Sequence, residues 1–191
     1  MGTMNYKIND DVFNAFPELE TDRLFLMGFE KIDSEEIFKM RSDEKVQKYL
    51  DRDLHKSVEE TQVMVDGMIN SFNNKEAINW IIRRKNTLDV VGYIGYWRLI
   101  KHNVRAEIGY ALKPEFWGTG YMSEAFIKVI EFGFNNLCLH SIEANVNPAN
   151  ANSIKLLEKF GFKREAFFRE DYFYNGKFLD TAIYSLLEPD N

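Results

Sequence analysis

A glycine turn between a predicted strand and a predicted helix is the feature of this sequence most suited to chemistry. Gly118-Thr119-Gly120 follows a strand predicted over 104–112 and precedes a helix with one apolar face. The first N–H groups of a helix lack intrahelical partners and carry partial positive charge, so the turn could bind a phosphate. Glycine allows close approach of the amides, and the Ser123 hydroxyl could add a donor. A tight turn with a purely structural role is the alternative.

The turn alone does not identify the phosphate ligand. The chain contains no G-x-x-x-x-G-K-[ST] sequence, which excludes a P-loop. The dinucleotide pattern G-x-G-x-x-G is incomplete because Ser123 occupies the third glycine position. The acidic residue that this pattern expects about 20 positions later would be Glu143, which lies in mid-strand. A dinucleotide-binding oxidoreductase therefore remains open as an alternative.

The strand before the turn could bring a carboxylate close to the same ligand. Its even positions are apolar, whereas its odd positions are Arg105, Glu107, Gly109 and Ala111. Alternate residues of a strand share a face, so Glu107 lies beside two small residues that leave room for a ligand. A carboxylate near a phosphate-anchored ligand is a candidate general base. A surface glutamate without a function is the alternative.

The surrounding patterns predict the elements that hold these residues. Capping-box sequences begin at Asp33 and Ser57, and Gly161 is a plausible C-terminal cap for a helix that starts near Asn150. Apolar periodicity predicts helices over 34–40, 58–73, 121–134 and 150–160, and strands over 24–29, 78–84, 90–100, 104–112, 142–146, 162–169 and 178–187. The predicted fold class is α/β, with a mixed sheet and a strand–helix–strand unit between early and late hairpins.

Composition limits the class of protein. The chain has 191 residues, with 24 Lys plus Arg against 30 Asp plus Glu, and hence a net charge of −6. This balance argues against binding nucleic-acid backbones and is compatible with cationic substrates. The single cysteine, Cys138, excludes a disulfide framework and a Cys-rich zinc site, and its leucine neighbours predict that it is buried. His55, His102 and His140 are scattered, so we predict no metal site.

Organisation along the chain is simple. Residues 1–18 are predicted to form a polar N-terminal arm, and residues 19–188 form one domain without a linker. No run of about 18 apolar residues predicts a transmembrane helix. The N-terminus lacks the basic-then-apolar pattern of a signal peptide. We therefore expect a cytoplasmic protein with neither a membrane nor a nucleic acid as partner.

Five segments, in order, resemble the GNAT N-acetyltransferase superfamily, and most closely its RimJ/RimL-like branch. They are L-x-T-x-R-L at 19–24, A-E-I-G-Y at 106–110, W-G-x-G-Y-x-x-E-A at 117–125, N-x-x-S-x-x-x-x-E-K-x-G-F at 150–162 and D-x-x-x-Y-S-L-L at 180–187. One such motif would be unspecific. Five at the right spacings, over about residues 19–187, are specific.

The resemblance implies an acetyl-CoA-dependent N-acetyltransferase. Its fold would be a twisted mixed sheet with helices on both faces and a V-shaped split between parallel strands 104–112 and 141–146. The pantetheine arm of acetyl-CoA would fill this split and contact Asn150. The backbone of Tyr110, Ala111 and Leu112 would pair with pantetheine, and the amides of Trp117, Gly118, Thr119, Gly120, Tyr121 and Met122, with the Ser123 hydroxyl, would bind the pyrophosphate.

The resemblance also implies that an amine attacks the thioester directly. We expect Glu107, acting through a water, to accept the proton of the amine. Glu170 and Asp171 are rival bases, because an acidic residue after the last motif can serve in this branch. A backbone N–H near Leu112 would stabilise the tetrahedral oxyanion, and Ser153 would lie near the thioester sulfur.

Two residues depart from the family pattern. Glu115 stands where many members have Gln or Arg two residues before Trp117, which removes a side-chain donor but not the backbone amides. Leu157 stands where many members have a general-acid tyrosine. Ser153 or solvent must then protonate the leaving thiolate.

The acceptor is not identified by any motif. It could be the α-amine of a protein N-terminus, as the branch name implies, or a small amine such as an antibiotic or a polyamine. The aromatic segment 167–174 could line the acceptor pocket or form a homodimer contact. A non-catalytic acyl-CoA-binding module is the alternative function, and it would keep the glycine turn without needing Glu107.

Overall fold

The computed structural model describes residues 6–189, which form an α/β fold around one mixed sheet. The elements are β1 (Leu19–Glu20), β2 (Leu24–Met27), α1 (Ser34–Arg41), α2 (Glu44–Gln47), α3 (Val58–Asn73), β3 (Ile78–Arg84), β4 (Val90–Ile100), β5 (Arg105–Leu112), α4 (Tyr121–Asn135), β6 (Ser141–Val146), α5 (Ala151–Lys159), β7 (Lys163–Tyr174) and β8 (Lys177–Leu187). The strand order is β1-β2-β3-β4-β5-β6-β8-β7. The predicted fold class is therefore confirmed.

The sheet splits in its middle, between β5 and β6. These strands run parallel and are in register over three residue pairs, the last of which joins Glu107 to Glu143. Beyond this pair β5 follows β4 as far as Leu112, while β6 follows β8 as far as Val146. The two strands thus diverge as a V, as predicted, and each turns one backbone edge into it.

The two faces of β5 pack against different helical layers. The Tyr110 ring lies 5.2 Å from the ring of Phe126 on α4, in an edge-to-face arrangement. Ala111 points the other way and packs against the core of α1 and α3, which includes Ile37 and Val65. Burying one such large apolar side chain contributes about 1.5–3 kcal/mol. Both layers therefore hold β5 firmly beside the V.

The N-terminal segment packs against the domain, which corrects the prediction of a polar arm over 1–18. Residues 1–5 lie outside the described chain, but Ile8 and Phe13 are buried in the main core. The Trp80 indole nitrogen donates a hydrogen bond to the Pro17 carbonyl at 2.6 Å. These apolar residues follow no helical or strand period, so the sequence pattern did not reveal their burial.

Two local predictions are wrong, for reasons of backbone geometry. Cys138 is exposed, because its left-handed φ of 58° directs it outwards while the leucines beside it are buried. Asp33 does not cap α1 with its side chain. Its carboxylate accepts the Glu30 N–H at 2.8 Å and pairs with Arg83. Ser57 caps α3 as predicted.

Candidate active site

The predicted phosphate-binding turn lies at the start of α4. Gly118 and Gly120 have φ values of 75° and 84°, in the left-handed region that favours glycine. Gly120 is the N-cap residue of α4, and no side chain caps the helix there. The first-turn N–H groups therefore lack intrahelical acceptors, and the positive end of the helix dipole lies at the turn. This geometry suits an anion.

A polar cluster made of Thr21, Arg23 and Glu124 fixes the orientation of this turn. The Glu124 carboxylate accepts the Arg23 backbone N–H at 2.9 Å, the Arg23 Nε–H at 2.6 Å and the Thr21 hydroxyl. Arg23 also donates to the Thr119 carbonyl at 3.3 Å. Burial opposes ionisation of Glu124, but the hydrogen bonds from Thr21 and Arg23 outweigh it and lower the Glu124 pKa. The cluster gives a structural reason for the L-x-T-x-R-L motif at 19–24, because its Thr21 and Arg23 bind Glu124 beside the turn.

A cleft of about 800 Å³ opens at the turn and runs along the V. Except for Thr119 and Tyr121, every residue predicted to bind the cofactor lines it. Thr119 instead donates its hydroxyl to the Phe116 carbonyl at 2.7 Å, and the Tyr121 ring stacks on Arg23. Sequence analysis missed the contribution of α2 and the residues after it. The cleft residues are Lys45, Val46, Lys48, Tyr49, Leu50, Tyr110, Ala111, Leu112, Phe116, Trp117, Gly118, Gly120, Met122, Ser123, Asn150, Asn152, Ser153 and Leu156.

The backbone of β5 offers hydrogen-bond donors inside the V. The Lys113 N–H donates to the Val91 carbonyl at 3.0 Å, and in an antiparallel pair every second residue bonds to the same neighbour. The N–H groups of Tyr110 and Leu112 therefore point away from β4 and into the V. The Leu112 carbonyl points the same way and accepts the Trp117 indole N–H at 3.0 Å. An extended ligand could pair with this edge.

A phenol and a hydroxyl meet on the wall of the cleft. The oxygens of Tyr110 and Ser153 lie 2.7 Å apart. Burial raises the pKa of Tyr110 to about 12, although the hydrogen bond to Ser153 lowers it, so the phenol is protonated at neutral pH. Asn150 caps α5 by accepting the Ser153 N–H at 3.1 Å, which leaves its amide N–H groups for other partners. The motif pattern did not reveal the Tyr110–Ser153 contact.

Glu107 lies buried at the apex of the V, so it is not a surface glutamate. Its side chain accepts hydrogen bonds from Asn145 and Arg98, each at 2.7 Å. Burial raises the Glu107 pKa, and these two donors oppose the rise. Glu143 lies alongside and pairs with Arg105. Glu107 does not line the cleft, so it can reach a ligand there only through an intervening group.

The loop between α2 and α3 reaches β6 and β7 on the far side of the V. The Asp51 carboxylate accepts the Asn147 amide N–H at 3.0 Å and the Tyr172 hydroxyl. Burial raises the pKa of Tyr172, and the Asp51 carboxylate raises it further. Glu170 and Asp171 are exposed on the same strand. Sequence analysis did not link Asp51 to the site, because its partners are about a hundred residues away in the chain.

The aromatic segment 167–174 forms most of β7, which is an edge strand of the sheet. Phe167, Phe168 and Phe173 are exposed, whereas Tyr172 turns towards the loop at Asp51. The segment therefore contacts the loop between α2 and α3 through Tyr172 and presents other side chains to solvent. A homodimer through this strand stays a prediction.

Residues 6–189 contain neither a candidate metal site nor a helix that could span a membrane. No group of three or more His, Cys, Asp or Glu side chains there could hold a metal ion. His55 contacts Arg41 at 3.3 Å and Thr61 at 2.8 Å, and its pKa is lowered by burial and by Arg41. Within the same residues, no helix has the length and apolar character needed to cross a membrane.

Comparison with known proteins identifies the family. A family model described as "Acetyltransferase (GNAT) domain" matches residues 23–163. "Uncharacterized N-acetyltransferase YoaA" from Bacillus subtilis (strain 168) is 38% identical over 174 residues, which are 91% of this chain and 98% of that protein. The solved structure of an acetyltransferase (GNAT family) from Bacillus anthracis has a TM-score of 0.80 at 26% identity and covers 90% of this chain and 98% of its own.

The RimL ribosomal L7/L12 alpha-N-protein acetyltransferase, solved in complex with coenzyme A, shares the fold with a TM-score of 0.81 at 20% identity, over 90% of this chain and 98% of its own. The family match sets aside the dinucleotide alternative, because GNAT acetyltransferases use acetyl-CoA. The cleft, the glycine turn and the open edge of β5 suit that molecule. The chain therefore belongs to the GNAT acetyltransferase family and is an acetyl-CoA-dependent N-acetyltransferase.

Proposed function

We propose that this enzyme transfers the acetyl group directly from acetyl-CoA to a primary amine held on the Glu107 side of the V. The observation that carries the proposal is the single cleft that joins the open edge of β5 to the positive end of α4. An extended arm and a diphosphate need these two surfaces at once. The acceptor would be the α-amine of a protein N-terminus, as in the RimL acetyltransferase, or a small amine.

Acetyl-CoA would lie along the cleft with its diphosphate at the amides of Gly118–Met122, because the Trp117 N–H already donates to the Pro114 carbonyl at 3.1 Å. Its pantetheine arm would extend along β5 and pair with the outward N–H group of Leu112. The amide N–H groups of Asn150 would bind the same arm, because the Asn150 oxygen already caps α5. The thioester would then reach the apex of the V, between the two helical layers.

Glu107 would accept the proton of the attacking amine through a bridging water. An α-amine with a pKa of ~8, or an alkyl amine with a pKa of ~10, is mostly protonated at neutral pH. The carboxylate is held by Arg98 and Asn145, and burial raises its pKa towards that of a useful base. Glu170 and Asp171 are the rival bases, but both are exposed on β7.

The bond changes then follow. The amine nitrogen bonds to the thioester carbon, and the Tyr110 N–H, the outward donor nearer the apex of the V, stabilises the oxyanion of the tetrahedral intermediate. The carbon–sulfur bond breaks, and Ser153 protonates the thiolate and regains its proton from solvent. Tyr110 is a protonated phenol that can donate to Ser153. This donation leaves the Ser153 hydroxyl free to point at the sulfur.

A thiol-release assay over an amine panel tests the proposal. The panel contains peptides with free N-termini, the same peptides blocked at the N-terminus, a polyamine and an aminoglycoside. We expect turnover with at least one free amine, none with its blocked form, and a large loss of turnover in Glu107→Gln with CoA affinity retained. Glu170→Gln and Asp171→Asn are the matched controls.

Two results would contradict the proposal. Binding of CoA without turnover on any amine would favour the non-catalytic module. Full turnover in Glu107→Gln, with loss in either control variant, would move the base to β7.

A further inference from the structure

We propose that three lysines outside the glycine turn, Lys45, Lys48 and Lys159, bind the phosphate groups of CoA. The inference rests on the proposed position of the cofactor in the cleft. The lysines would add charged side chains from two helical regions to the backbone amides of the glycine turn.

The charge of the cleft points to an anionic ligand. Lys45 and Lys48 line it, and no Asp or Glu is among its described lining residues. The chain as a whole has a net charge of −6. A cleft whose charged side chains are all cationic is therefore a local reversal of the average surface, and such a reversal attracts anions.

Lys159 approaches the turn from the end of α5. It is the last residue of α5, and its ammonium group lies 3.2 Å from the Ser123 hydroxyl, in the first turn of α4. Ser123 itself lines the cleft. A phosphate at the N-terminus of α4 would thus lie within reach of the Lys159 side chain, which is flexible enough to swing onto it.

The three lysines have charge available for a ligand. None of them forms an ion pair with a carboxylate of residues 6–189. Arg23 also lies near the turn, but its guanidinium is already paired with Glu124 at 2.6 Å. A lysine ammonium without a carboxylate partner makes charge-assisted hydrogen bonds to phosphate oxygens. The lysines, rather than Arg23, therefore have a charge available for phosphate.

Calorimetry with truncated ligands tests the inference. CoA, 3′-dephospho-CoA and pantetheine are each titrated into the full chain, into Lys159→Ala and into the double variant Lys45→Ala/Lys48→Ala. Charge-assisted contacts at exposed positions predict that each variant weakens CoA affinity about three- to tenfold. Pantetheine affinity should not change, because this ligand carries no phosphate. Added salt should weaken CoA binding less in the variants than in the wild type.

The controls remove the same charge elsewhere. Lys155, on α5 one turn before Lys159, and Lys163, at the start of β7, are both exposed and outside the cleft. Lys155→Ala and Lys163→Ala should leave all three affinities unchanged. A loss for CoA alone assigns the lysines to the 3′-phosphate, and an equal loss for CoA and 3′-dephospho-CoA assigns them to the diphosphate. Either pattern supports the inference.

Three results would overturn it: unchanged CoA affinity in both lysine variants, an equal loss for CoA and pantetheine, or an equal loss in the control variants. The titrations need no acceptor amine, so they are independent of turnover. A chain that binds CoA but acetylates nothing refutes the proposed function and leaves this inference standing. Unchanged affinity in the lysine variants refutes only the inference.

Discussion

Asn145 allows the proposed base to be tested without altering its carboxylate. In Asn145→Ala the hydrogen bond of 2.7 Å to Glu107 is lost, whereas Arg98 still donates to the other oxygen. Glu107 is only 4% exposed, and water that enters from the exposed Asn145 position replaces the lost donor only in part. The Glu107 pKa, which burial already raises, should therefore rise further.

The size and direction of the effect follow from this geometry. A hydrogen bond to a charged group contributes about 1.5–3 kcal/mol, and one pKa unit corresponds to about 1.4 kcal/mol. Loss of the Asn145 donor should raise the Glu107 pKa by about one to two units. The base acts only when ionised, so activity falls as the pH falls through this pKa. The acid limb of kcat/KM should move to higher pH by the same amount.

Initial rates of thiol release, followed with a thiol reagent that works in acid, measure this limb. Asn147→Ala is the matched control, because Asn147 lies two residues further along the chain but bonds to Asp51 rather than to Glu107. Its acid limb should stay in the wild-type position. An unmoved acid limb in Asn145→Ala, with wild-type CoA affinity, would refute Glu107 as the titrating base. A uniform fall in rate at every pH would indicate a structural role instead.

Three further substitutions test the cofactor site and the packing behind it. Gly120→Asp places a carboxylate at the phosphate turn. Repulsion of about 4 kcal/mol between unit charges about 4 Å apart near a surface predicts at least about a hundredfold loss of CoA affinity, measured by calorimetry. Glu124→Ala removes the shared acceptor of Arg23 and should lower the free energy of unfolding in urea by about 1–2 kcal/mol. Gly133→Ala places a Cβ 2.9 Å from the Tyr96 Cζ, and overpacking should cost about 1–3 kcal/mol in thermal unfolding.

Each of these expectations has an outcome that contradicts it. Gly67→Asp is the control for Gly120→Asp, because Gly67 is an open position of α3, and it should leave CoA binding intact. If Gly120→Asp binds CoA within twofold of wild type, the proposed phosphate site is wrong. An unchanged urea midpoint in Glu124→Ala would show that the cluster does not stabilise the turn. Wild-type thermal stability in Gly133→Ala would mean that Tyr96 moves aside at no cost.

Local patterns were enough to predict most of the elements and the cofactor turn. The apolar period of α3 and its Ser57 cap predicted the bounds 58–73, which the structure matches. The residues of the glycine turn lie next to each other in the chain. Their backbone conformation and the helix end after them follow from local sequence, so the motif predicted a phosphate-binding site and identified the family.

Contacts between residues far apart in the chain determined the burial and pairing that local patterns did not predict. From the sequence alone, Glu107 could equally have been a surface residue. Its neighbours on β4 and β6 bury it, and this burial raises its pKa. The local sequence predicted that Asp33 caps a helix, but its carboxylate pairs with Arg83, which is 50 residues away in the chain. Such outcomes depend on which side chains the sheet brings together, and no local period encodes that.

The sequence by itself therefore determined the fold class, the acetyl-CoA family and the turn suited to phosphate. Tertiary structure alone joined Thr21 to Glu124, across 103 positions of the chain. It also put Lys45 and Lys48 on the wall of the cleft. The physical reason is range: hydrogen-bonded turns, caps and periodicity act over a few residues, whereas burial and charge pairing act between residues that meet only when the sheet forms.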